Sequence, residues 1–326
     1  MVGFMFQQLA SQIPSIVIDV FRLALWLMIL VVIFAPLEHL FAAHPKKFWR
    51  KGILTDLGYY FLSSLVPAIL LSLPMAWLAW LAHRLVPGGL LVLTASLPLW
   101  ARTLLAFVAG EIGFYWGHRW SHEVPLLWRF HSIHHSAEEV DFLVNTRAHP
   151  LDIVFGRFCM LVPIFVLGLG GPGGSGGSRV PVLAVLIGTL WGFLLHANLK
   201  WRFGPLEWLI ASPAFHHWHH TRTGPINRNY ASMLPWLDRI FGTHHLPEHD
   251  WPESYGIKAV LPESLNDQLF YPFWPEPAAN PDDPAQALTD ARTEESGSRG
   301  QGLLLRSGLP GDSDAAGIAR DRNPSY

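Results

Sequence analysis

Histidine is the residue whose placement in this chain has chemical meaning. The chain has 17 histidines, and three short boxes concentrate them: His118 and His122; His131, His134 and His135; His216, His217, His219 and His220. Residues three and four apart on an α-helix project from one face, about 5–6 Å apart at Cβ, so two imidazoles there can reach one ion. Imidazole is the commonest neutral metal ligand and suits iron, zinc, copper and nickel alike. The spacing therefore argues for metal without naming it. Burying the boxes without an ion would leave polar nitrogens to satisfy at about 1–3 kcal/mol each. Leaving out His217, the odd member of its box, eight positions exceed the four of a structural zinc site; two ions held close together is the economical reading. The isolated His39, His44 and His83 read as core or interfacial residues. The single cysteine, Cys159, offers neither a disulfide framework nor a thiolate site.

The elements that must position these boxes are apolar. Half of the 326 residues are hydrophobic and only 15% are charged, too few charges for an ordinary soluble domain. Apolar runs cover about 15–35, 58–82, 97–116, 153–170 and 180–199, each near the ~20 residues that cross a hydrocarbon core. Pro67 and Pro74 interrupt the second run and Arg157 lies within the short fourth; hydropathy leaves open whether the last two runs cross or re-enter. The first run has no basic residues before it and no small-residue cleavage site after it, so it reads as a membrane helix rather than a signal peptide. Lys46, Lys47, Arg50 and Lys51 crowd the first loop and mark it cytoplasmic. Counting spans onward places all three boxes on the cytoplasmic side.

The expected fold is all-α: an integral-membrane bundle of about four to five transmembrane helices with a cytoplasmic helical cap carrying the boxes. Residues 1–92 are expected to form N-terminal membrane helices and 93–275 a catalytic domain. The segment 276–326, rich in Pro, Ala, Asp, Gly and Ser, is expected to be a disordered tail. The glycine-rich stretch 171–178 reads as a connector. No solenoid-type repeat is present, and neither charge nor motif points to nucleic acid.

At the boxes the chain resembles the fatty acid hydroxylase and sterol desaturase superfamily of membrane di-iron enzymes, marked by HxxxH, HxxHH and HxxHH. The resemblance covers about 111–243. It includes Glu111 seven residues before the histidine of Tyr-Trp-Gly-His-Arg, Asn145-Thr-Arg-Ala-His-Pro150, His196-Ala-Asn198, Asn229-Tyr230 and Trp236-Leu-Asp-Arg-Ile-Phe-Gly-Thr243. It implies ligation by His118, His122, His131, His134, His135, His216, His219 and His220, with His149 and His196 as additional ligands. Two departures are visible: Glu111 stands where the family usually has Asp, and Leu237 is inserted between Trp236 and Asp238. Gly192 replaces a histidine of the fatty acid 2-hydroxylase branch, which argues against that branch.

Glu111 shares a helical face with His118 and His122, so it would accept the second N–H of a metal-bound imidazole; the alternative is a pair with Arg102 or Arg119. Asp238 and Arg239 read as an ion pair, and Arg147 as fixing His149 or an acidic headgroup. The aromatic residues flanking the boxes, Trp128 among them, would wall a pocket or anchor the membrane interface.

The resemblance implies two iron ions, dioxygen as co-substrate, and hydroxylation or desaturation of a lipid. The chain shows no dinucleotide-binding or cytochrome b5-like segment, which implies a separate reductase, ferredoxin or cytochrome b5-like electron donor. Arg129, Lys200, Arg202, Arg222 and Arg228 are candidates to meet it. The competing readings are a histidine-rich metal transporter, which predicts ligands buried mid-membrane, and a zinc hydrolase, which needs only about three protein ligands.

Overall fold

The computed structural model of the chain describes residues 14–45, 49–170 and 179–274. Lys46 and Lys47, the 171–178 connector and the tail from 276 lie outside the described residues. Among those described, the fold is all-helical; its only β feature is an isolated bridge between Thr221 and Tyr255.

Among the described residues two helices are long and apolar enough to cross a membrane: α1 (Ser15–Leu40, mean hydropathy 2.6) and α2 (Ile53–Leu85, mean hydropathy 1.9). Both turn large apolar side chains outward, as at Phe21, Val32 and Leu73. Pro67 and Pro74 do not break α2, which runs unbroken for 33 residues. At 1.5 Å per residue that is about 50 Å, well beyond a ~30 Å hydrocarbon core. Its first turns, with Asp56 and Tyr59, therefore reach the layer that holds the histidines.

A short helix, α3 (Gly88–Ser96), lies where no separate element is expected from the sequence, and the boundary anticipated at 92/93 falls inside it. The run 97–116 extends into α4 (Leu99–Glu123), whose last turns carry the first box. After Val124 the chain turns directly into α5 (Pro125–His135), with Pro125 at a helix start that has no use for its missing N–H. A 3-10 turn (Phe142–Thr146) then leads to α6 (Pro150–Val166). Beyond it come α7 (Arg179–His196), α8 (Pro213–His219), α9 (Trp236–Ile240) and α10 (Leu265–Phe270).

Small residues bring α4 and α6 together. A Cβ on Gly113 would sit 2.2 Å from the Cys159 carbonyl oxygen, and one on Gly117 would sit 2.7 Å from the Cys159 Cβ, so larger residues would force the helices apart. Tyr115, Phe215, Tyr230 and Leu237 form the core beneath the boxes. Leu30, Phe34, Tyr60, Phe142 and Phe193 tie α1 and α2 to it.

Buried polar contacts then fix the register. Arg50 bridges Asp56 (2.6 Å) and Asp141 (2.7 Å), and Asp56 also holds Arg147 (2.7 Å). Glu38, at the end of α1, accepts the backbone N–H of Phe142 (2.8 Å) and of Asn198 (3.0 Å). Removing one partner from such a buried set costs several kcal/mol, about 3–5 for an ion pair. The N-terminal helices are thereby locked to the histidine layer.

Candidate metal centre

The three boxes converge, but each does not serve a single ion. Ring nitrogens of His118, His122, His131, His135 and His219 lie within 4.8 Å of one another, and so do those of His134, His196, His216 and His220; all nine side chains are buried. Helical geometry explains the division. In α5 the i and i+4 members, His131 and His135, join the first group while His134 turns to the second. In α8 and its C-terminal cap the order is reversed: His216 and His220 join the second group and His219 the first. The one-stripe expectation is thus corrected, because i+3 and i+4 positions diverge enough around the helix to address two neighbouring points.

Hydrogen bonds on the far side of six of the nine rings point to the nitrogen that carries the proton, whereas the buried Nδ1 atoms of His216 and His220 have no partner. A carbonyl oxygen can only accept, so Nδ1–H donates from His118 to Tyr230 (2.7 Å), from His134 to Arg147 (3.1 Å), from His196 to Gly192 (2.8 Å) and from His219 to Arg228 (2.7 Å). His131 Nδ1 donates to the Asp152 carboxylate at 2.9 Å, and His122 Nδ1 meets the Asn227 side-chain oxygen at 3.2 Å. Asn227 and Asn229 both adopt left-handed backbone, φ 58° and 59°, a conformation asparagine tolerates better than most residues. This curl presents Asn227 and the Arg228 carbonyl to the first group.

In the six rings held this way the inward nitrogens are therefore lone pairs. His118 and His131 bring their Nε2 atoms to 3.2 Å, and His134 and His196 do the same at 3.2 Å. Neither pair has a proton left to share. His122, His135 and His219 have buried Nε2 atoms with no partner at all. His196, His216 and His220 have Nε2 separations of 3.0–3.3 Å, near the roughly 3.4 Å edge of a tetrahedron with metal–nitrogen bonds of about 2.1 Å. Burial first, and neighbouring imidazoles second, hold His134, His135, His216, His219 and His220 well below the usual histidine range. They are neutral, as ligands must be. The donor set in each group fits a cation of imidazole preference.

Four sequence-derived roles are corrected by these contacts. His149 lies outside both groups. Its Nδ1 accepts from the Leu151 N–H (3.1 Å), capping α6, and its Nε2 faces the Leu269 carbonyl (3.2 Å), so it has no lone pair to give. Glu111 touches no imidazole: it accepts the N–H of Met233 (2.7 Å) and of Leu234 (3.2 Å), pinning the segment after the third box. Asp238 makes no salt bridge with Arg239 and instead accepts from Tyr230, Ala231 and Thr243. Arg147 contributes its carbonyl to His134 while its guanidinium binds Asp56.

Sequence reasoning missed Asp152, the carboxylate that does meet an imidazole. Its signal was available three residues after His149, at the start of the helix packed on α5. His217 stands apart from both groups, with its two nitrogens on the Tyr255 hydroxyl (2.6 Å) and the Ala197 carbonyl (3.0 Å).

An apolar cavity of about 420 Å³ opens onto both groups. His118, His131, His134, His196 and His216 form its inner end, and residues of α1, α2, α4, α6 and α7 form its walls.

Comparison with known proteins agrees with this arrangement. Residues 103–243 match the fatty acid hydroxylase family model. The chain is 32% identical over 180 residues to ornithine lipid hydroxylase OlsE of Rhizobium tropici, covering 54% of this chain and 51% of that protein. It is 32% identical over 152 residues to alkylglycerol monooxygenase of Danio rerio, covering 45% of this chain and 31% of that protein. Methylsterol monooxygenase 2-2 of Arabidopsis thaliana is 30% identical over 154 residues, 45% of this chain and 55% of the relative. The chain thus spans about half or less of the length of the first two relatives. No solved structure matches it. Residues 103–243, which the fatty acid hydroxylase family model matches, contain every histidine of both groups.

Proposed function

We propose that this chain is a membrane-embedded oxygenase that converts a C–H bond of a lipid to C–OH. One atom of dioxygen enters the product and the other leaves as water, with two electrons and two protons from a separate donor. The observation that carries the reading is the cavity: a single apolar space joins two buried groups of imidazole nitrogens to the faces of apolar helices. Relatives named as lipid hydroxylases and monooxygenases support it.

Two iron ions, one in each imidazole group, would supply the dioxygen activation. The chain's own residues do the rest. Backbone carbonyls of Tyr230, Arg147, Gly192 and Arg228 hold the proton at Nδ1 and keep the inward nitrogens free. The Asp152 carboxylate does the same for His131 and makes that ring a stronger donor. Apolar walls exclude water and orient a chain of lipid dimensions.

In this reading the five apolar runs form four to five membrane segments, and both groups face the cytoplasm, where a reductase, ferredoxin or cytochrome b5-like protein delivers electrons. Of the basic residues considered for its docking, Arg202 binds Glu207 and the Pro247 carbonyl, Arg228 the Gly242 carbonyl and Arg129 the Trp274 carbonyl. Lys200, which is exposed, and Arg222 are the better positioned to meet an acidic donor.

Expression of the full chain under ¹⁸O₂, followed by mass spectrometry of lipid extracts, tests the proposal. One ¹⁸O per product molecule, absent from cells lacking the chain, is the expected result. No oxygen-labelled lipid, or zinc as the bound metal, contradicts it.

A further inference from the structure

The cavity wall carries one charge that no described residue answers. Arg157 lies in the middle of α6, within an apolar run, and lines the cavity half-buried. Among the described residues it makes no hydrogen bond or ion pair. The two carboxylates that line the same cavity are already committed, Glu111 to the Met233 and Leu234 backbone and Asp152 to His131. An ionisable side chain at membrane depth is costly and is kept where a partner meets it.

Position along α6 says where that partner sits relative to the metal groups. Asp152 touches His131, and Arg157 follows five residues later, about 7.5 Å of helix rise. The cavity runs much further: Ala184 and His196 both line it, about 18 Å apart along α7. Arg157 therefore follows Asp152 by less than a turn and a half of α6, and apolar residues such as Met160 and Val185 line the same cavity.

We propose that Arg157 receives an oxyanion, phosphate or carboxylate, carried by the lipid substrate. The reacting C–H bond then lies on the headgroup side of the molecule, a few bonds from the anion, while the hydrocarbon chain fills the outer cavity. This rests on the oxygenase reading for what happens to the bound lipid, but the recognition itself is a binding property. A guanidinium suits the task because its fork of N–H donors matches an oxyanion in two-point fashion and it never loses its charge.

Binding to the purified full chain in detergent separates the possibilities, with or without turnover. The probes are oleoyl lysophosphatidate, monooleoylglycerol with the same chain and no anion, and inorganic phosphate. Wild type is expected to bind the anionic lipid at least tenfold more tightly than the neutral one. Arg157→Met should abolish that preference, Arg157→Lys should retain part of it, and monooleoylglycerol should bind all three proteins alike, which controls for folding. Equal affinity of wild type for the two lipids, or an unchanged preference in Arg157→Met, overturns the assignment. Inorganic phosphate binding as tightly as the lipid overturns the lipid as the source of the anion. A chain that binds as expected yet yields no ¹⁸O-labelled product would refute the oxygenase reading alone.

Discussion

The two imidazole groups draw on the same second and third boxes yet differ in what stands behind them. The five-membered group is backed partly by side chains, Asp152 on His131 and Asn227 on His122, whereas the backed members of the four-membered group lean on backbone carbonyls, Arg147 behind His134 and Gly192 behind His196. They also differ in outlook. Three of the four imidazoles in the smaller group line the cavity, His134, His196 and His216, against two of five in the larger, His118 and His131. Two members of the smaller group are thus held by backbone that substitution of a supporting side chain cannot alter, and this group is the one more open to a lipid. The larger is the more enclosed and the more adjustable.

That contrast can be broken in steps. The largest effect is expected from His196→Ala and His135→Ala, one ligand from each group: both should bring lipid product below detection while the protein still inserts into membranes. Retained product in either would show that only one group serves the reaction. Asp152→Asn should act on the larger group alone, weakening its metal by about 10–100-fold; chelator titration followed by metal analysis should then remove one ion early and the other at its wild-type concentration. Loss of both together would mean that the groups are not independent.

Smaller effects are expected from residues that support the fold. Glu111→Ala leaves the Met233 and Leu234 N–H groups unpaired, which should cost about 1–3 kcal/mol of stability, read as a lower unfolding temperature with iron content unchanged. His149→Ala should cost about 1 kcal/mol, the usual value of a helix N-cap, again with full metal. If that variant lost an ion, His149 would return to the ligand set.

The same contrast explains what could be read from the sequence. Spacing of three and four residues identified the boxes because it is a property of one helix, and the resemblance added His196. The division into two groups was not legible, since it depends on how α5 and α8 face each other. The helix face of Glu111 points to an imidazole, but the Met233 and Leu234 amides that claim it arrive from a segment more than 120 residues away. Asp152 escaped notice for the converse reason: only the close approach of α6, permitted by Gly113 and Gly117, brings it into the histidine layer. His149 sits in an Arg-x-His-Pro element that reads as ligand chemistry, and its real partners are a neighbouring amide and a distant carbonyl. The all-helical fold followed from the apolar runs, while α3 did not, because Gly88–Ser96 has no pattern that separates it from the runs on either side.

Metal stoichiometry tests the central claim most directly. Elemental analysis of the full chain purified with iron, beside His135→Ala and His196→Ala prepared in parallel, should give two iron ions per chain for wild type and one for each variant. A single ion in wild type, or the loss of both ions in either variant, would contradict two separate imidazole sites.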